Sequence, residues 1–123
     1  MTWVAIVVGA ALGAPLRYVV DRWVTARTVG PTPIHQFPWG LFVVNVSGSA
    51  VAGLVLALAT GDVRVLLLIG LCGAFTTFSG FAWEVDRLWA TARTVFWAAV
   101  VAMPIACVVA FWAAWQVARV AVA

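Results

Sequence analysis

Val65-Leu66-Leu67-Leu68-Ile69-Gly70-Leu71-Cys72-Gly73-Ala74-Phe75-Thr76-Thr77-Phe78-Ser79-Gly80-Phe81-Ala82 contains no charged residue. Wound as a helix at about 1.5 Å per residue, such a run nearly matches the ~30 Å hydrocarbon core of a bilayer, so it reads as a membrane span. Its second half is unusual for one. Gly73, Gly80, Thr76, Thr77 and Ser79 stand where an uninterrupted helix favours Leu and Ala. Unwound backbone at membrane depth is tolerated only when buried in protein or lining a wet cavity, where its freed carbonyls and amides can bind ions. The stretch predicts a broken helix and an ion site. A packing seam in an intact helix, its hydroxyls bonded back to the preceding turn, fits the same residues.

Three further apolar runs flank this one, so the predicted spans are 3–20, 39–59, 65–82 and 94–118. The connections are 21–38 with Gly30, Pro31, Pro33 and His35, then 60–64 with the turn pair Gly61-Asp62, then 84–93. A chain of 123 residues that is 66% hydrophobic and 9% charged, with a mean hydropathy of +1.12, has too little polar surface to cover a soluble globule. It is expected to form one four-helix transmembrane domain over 1–123, all-α and solvated by the lipid bilayer. The first run lacks the basic start and small-residue cleavage site of a secretory signal and is read as a permanent helix. The charge of +3 comes from seven arginines and no lysine, which in a membrane protein reports topology and head-group contact, not nucleic acid.

The eight tryptophans fall near predicted span ends, where the indole ring is apolar and its N–H wet. Helices in lipid pack through small residues, and Ala5, Gly9 and Gly13, like Ser49, Gly53 and Ala57, recur every four residues on one face. Cys72 and Cys107 lie inside apolar runs without a CxxC or neighbouring His, as buried small hydrophobes rather than metal ligands or a disulfide pair.

Polar residues at membrane depth are costly and therefore point to function. Besides the broken segment these are Arg17 near the end of the first run, and Asn45 with Ser47 and Ser49 in the second. Asn45 also suits interhelical hydrogen bonding, and Arg17 also suits snorkelling to the interface. No nucleophile–base or metal-ligand pair lies at depth, so an enzyme is not indicated. Two rivals to a channel are a proton-coupled small multidrug efflux subunit and a non-transporting membrane assembly subunit. The first needs a carboxylate within a span, yet spans one, two and four hold no Asp or Glu, and Glu84 falls at the interfacial end of the third.

These residues carry a resemblance over nearly the whole chain. Gly9 to Tyr18, then Phe37-Pro38-Trp39-Gly40 through Asn45 to Gly48 and Gly53, and above all Gly70 to Glu84 with Phe-Thr-Thr-Phe-Ser-x-Phe, resemble the Fluc (CrcB) family of fluoride channels. The resemblance implies passive export of cytoplasmic fluoride through an antiparallel, dual-topology dimer with two narrow pores, in the inner (plasma) membrane of a bacterium. It implies that Phe78 and Phe81 offer ring edges to fluoride, that Asn45 and Ser79 donate hydrogen bonds to it, and that Arg17 lines an aqueous vestibule. Such donors suit a small, strongly hydrated anion, because the positive edge of a phenyl ring coordinates it without a trapping charge. The Gly73 and Thr76 carbonyls are implied to hold a structural sodium ion at the dimer centre. Two positions depart from the family pattern: Leu41 and Gly80 stand where it usually has Thr, which removes two hydroxyls.

Four spans put the first and third connections on one side, with Arg22, Arg27, Arg87 and Arg93, against Arg64 and Arg119 on the other. So small an arginine bias specifies orientation weakly, as a dual-topology homodimer needs; a strong bias would demand a paired, oppositely oriented homologue as a heterodimer partner.

Overall fold

In the computed structural model, which describes residues 2–122, four helical segments are long and apolar enough to cross a membrane, and no strand forms among the described residues. Helix α1 is Thr2–Thr28, a single 3₁₀ turn is Pro33–His35, and α2 is Trp39–Leu58. Helix α3 spans 61–75, with Gly61–Arg64, a wider π-wound stretch Val65–Cys72 and a last turn Gly73–Phe75. Helix α4 is Phe78–Thr91 and α5 is Arg93–Ala121. The third span is broken as expected: Thr76 (φ −77°, ψ 160°) and Thr77 (φ −150°, ψ 122°) are extended between α3 and α4. An intact helix with a small-residue seam is therefore ruled out.

Three of the four membrane-length segments overrun their predicted spans, while α2 ends one residue short of 59. Helix α1 continues eight residues past 20, through Asp21, Arg22 and Arg27, and 84–93 is helical up to a single junction residue, Ala92. Hydropathy marks only the part of a helix that lies in lipid. A helix satisfies its own backbone in any medium, so it runs on into the head-group layer until a capping or turn residue stops it. Helix α2 stops where Ala59 turns extended, and α3 begins at Gly61, whose φ of +56° is left-handed and open to glycine without a steric cost.

Helix α1 packs on α3 and on α2, and α2 packs in turn on α5. Ala5, Gly9 and Gly13 are buried as the small-residue face of α1. A β-carbon on Gly9 would run into the Leu66 carbonyl and lie 2.7 Å from the Leu71 nitrogen, so the two backbones touch. Gly53 plays the same part between α2 and α5, facing the Phe111 carbonyl, while Ser49 and Ala57 are only half-buried.

Trp23, Trp89 and Trp115 each sit under an arginine four residues on, with Arg27, Arg93 and Arg119 guanidinium carbons 3.8, 4.0 and 4.8 Å from the ring centroids. These pairs lie at helix ends, as an interfacial anchor should. Much of the remaining large apolar surface is exposed, which in a membrane is contact area for lipid or another chain.

Candidate functional site

The site is built where α2 passes the break between α3 and α4. Unwinding at Thr76 and Thr77 strands backbone groups that an intact helix would pair. Asn45, 8% exposed on α2, meets them: its Oδ1 accepts from the Thr77 N–H at 2.8 Å and its Nδ2 donates to the Thr77 carbonyl at 3.2 Å. The same Nδ2 lies 3.6 Å from Met103 Sδ on α5. Asn45 thus bridges helices, and its partner is the broken backbone. Thr77 also caps α4, its Oγ1 accepting from the Gly80 N–H at 3.1 Å. Its hydroxyl is 3.2 Å from Ser79 Oγ.

Two spaces adjoin the break. A cleft of about 270 Å³ is lined by Asn45, Phe78 and Phe81, with Ser49, Thr76, Thr77, Met103, Pro104 and Cys107. The Phe78 and Phe81 ring centroids are 6.0 Å apart, and Phe78 is 80% exposed on the outer face of the single chain. A larger cavity of about 710 Å³ holds Arg17 and Ser79, with Leu41, Gly80, Trp83, Glu84 and Arg87 in its wall. The expected fluoride residues are therefore divided: Asn45, Phe78 and Phe81 share one space, Arg17 and Ser79 the other, and Thr77 lines both. Gly73 lines neither cavity and is exposed. Cys72 is buried, and Cys107 is half-buried at the cleft.

The larger cavity is polar at its rim. Arg17, Arg22, Arg87, Asp21 and Glu84 all reach it. Arg87 and Glu84 pair at 2.6 Å, and Arg87 also donates to the Gln36 carbonyl at 3.3 Å and the Pro33 carbonyl at 3.4 Å, fastening the 29–38 connection to α4. Arg17 makes no ion pair with another described residue. Gly40 is buried because the Asp21 carboxylate and Thr25 hydroxyl of α1 fill the place of its side chain.

Sequence reasoning missed Thr77 as the residue that caps α4 and joins the two spaces. A signal was present, since Thr is a favoured N-cap and stands three residues before the amide it accepts from. The Asn45–Thr77 pairing had no such signal, because the residues are 32 apart in the chain.

A sequence profile described as "CrcB-like protein, Camphor Resistance (CrcB)" matches residues 4–116. The chain is 43% identical over 106 residues to a protein of Streptomyces avermitilis named fluoride-specific ion channel FluC 1, with 80% of each chain covered. It is 42% identical over 100 residues to one of the same name from Frankia casuarinae, covering 72% of each. A Rhodospirillum rubrum protein named fluoride-specific ion channel FluC is 37% identical over 110 residues, covering 77% of this chain and 81% of its own.

Proposed function

We propose, on the premise that this chain belongs to the CrcB family, that it is a subunit of a fluoride-selective channel that lets fluoride leave the cell passively and so limits its toxicity. The observation that carries this reading is the gathering of Asn45, Phe78 and Phe81 around a helix break in one cleft. Fluoride enters cells as neutral HF and is trapped as the anion. A membrane potential negative inside then drives the anion outward with about 2.3 kcal/mol per 100 mV, so no energy-coupling site is needed.

Arg17, without an ion-pair partner in the larger cavity, raises the local anion concentration there. Ser79 offers a hydroxyl between that cavity and the break. Phe78 and Phe81 present ring edges, and the start of α4 adds the positive end of its helix dipole. One Asn45 N–H rests on a thioether, a weak acceptor that an anion displaces readily. Beyond Arg17, these groups replace the water of a small anion without a further fixed positive charge on the path.

A lone chain leaves Phe78 exposed and the cleft open. The reading therefore includes a second, antiparallel copy that covers this face, giving a dual-topology homodimer in the inner (plasma) membrane. The Gly73 and Thr76 carbonyls fit a sodium ion at its centre. In an unbroken helix they would accept from the Thr77 and Gly80 N–H groups, which here bond Asn45 Oδ1 and Thr77 Oγ1 instead. Carbonyl oxygens suit a hard cation, and the ion would supply a structural cross-link between subunits. Glu84 is held in an ion pair by Arg87, and membership of the CrcB family counts against proton-coupled efflux.

The test is rescue of a fluoride-hypersensitive bacterium lacking its own exporter. Expression of this chain should restore growth in fluoride at acid external pH, where HF enters fastest. No rescue by a chain shown to be in the membrane would refute the reading.

A further inference from the structure

Breaking a helix does not by itself leave carbonyls available, because displaced N–H groups tend to find them again one turn away. Here the two donors displaced from the Gly73 and Thr76 carbonyls are held by side chains. The Thr77 N–H, which an intact helix directs at the Gly73 carbonyl, is bonded to Asn45 Oδ1 at 2.8 Å. The Gly80 N–H, which it directs at the Thr76 carbonyl, is bonded to Thr77 Oγ1 at 3.1 Å. Asn45 also fixes the Thr77 carbonyl through Nδ2, so both polar groups of that peptide residue are engaged. Gly80, with no β-carbon, lets its amide sit close under the threonine: a β-carbon there would stand 2.9 Å from Thr77 Cγ2.

We infer that Asn45 and Thr77 are positioning residues for the central cation, holding the Gly73 and Thr76 carbonyls free of their helical donors before any ion arrives. This rests on the sodium reading given above and adds the residues that make the site. Asn45 then serves both ends of the machinery, with Oδ1 committed to the cation side and one Nδ2 hydrogen turned toward the cleft.

The experiment titrates sodium against N-methylglucamine at constant ionic strength on the purified full-length protein and follows its melting temperature. Thr77→Val keeps the shape and removes the acceptor; Asn45→Ala removes the other. Each should raise the sodium concentration for half-maximal stabilisation by about tenfold or more. Thr77→Ser and Asn45→Asp, which retain the acceptor oxygen, should stay within about twofold of wild type or fall below it. A merely structural role would lower the melting temperature without moving the midpoint. Unchanged midpoints in Thr77→Val and Asn45→Ala, beside a sodium-dependent wild type, overturn the inference. A wild type indifferent to sodium overturns the cation reading beneath it instead.

Hydrogen exchange on the wild type needs no variant. The Thr77 and Gly80 amides should be equally protected with and without sodium, since side chains hold them. Protection lost on sodium removal would mean that the ion, not Asn45 and Thr77, keeps the break open, and would also overturn the inference.

Discussion

Gly80 stands against Leu41: a β-carbon at position 80 would lie 3.2 Å from Leu41 Cδ1. The two residues are thus neighbours in the wall of the larger cavity. Leu41 takes room that a side chain at 80 would need. Gly80→Thr alone is expected to overpack the wall and cost about 1–3 kcal/mol. Adding Leu41→Thr should recover part of that loss, the contact with Thr77 Cγ2 at 2.9 Å remaining, while the two threonines bring two hydroxyls to the cavity. Melting temperatures of the two single variants and the double variant check this; simple additivity of the single losses would contradict it.

Phe78 and Phe81 separate packing from ion contact. Replacing either with Ile keeps an apolar side chain of comparable bulk and removes the ring edge. Each variant should assemble with near-normal yield yet show strongly impaired fluoride efflux. Normal efflux in both would reduce the rings to packing.

The α1–α3 contact predicts a sharp size limit. Because a β-carbon on Gly9 would enter the Leu66 carbonyl, Gly9→Ala must push two backbones apart, and should cost about 1–3 kcal/mol in a denaturation titration. Ala10→Gly, one position along the same helix and half-buried, should cost about 1 kcal/mol or less, from helix propensity alone. Equal effects at the two positions would count against the close approach.

The span count, the break and the small-residue face of α1 were legible in the sequence, because lipid enforces each through composition. Asn45, Phe78 and Phe81 were likewise singled out and do share a cleft. The helix ends were not legible: Asp21 to Thr28 is polar enough to read as a connection, yet it remains α-helical. Hydropathy has no term for a helix that simply continues into water. Nor could spacing reveal that Asn45 grips Thr77, or that Arg87 holds the Gln36 carbonyl, since both contacts join distant segments. The division of Ser79 and Arg17 from the aromatic cleft depends on which way the chain turns at Thr76 and Thr77, and so required the backbone angles.

A dual-topology homodimer makes a prediction about labelling. Thr60 and Thr91 are exposed and lie at opposite ends of the third span. Single cysteines there, with Cys72 and Cys107 replaced, should each label partly from outside and partly from inside intact cells. Labelling of either position from one side only would contradict the homodimer and favour a paired homologous subunit.

The central claim is that the path past the break conducts fluoride and little else. Liposomes containing the purified protein, loaded with potassium fluoride or potassium chloride and opened with a potassium ionophore, test it most directly. Fluoride should leave far faster than chloride, because the ring edges and amide of the proposed site, once a second copy closes the cleft, replace the water of the smaller anion only. Equal rates for the two anions, or no efflux of either, would contradict it.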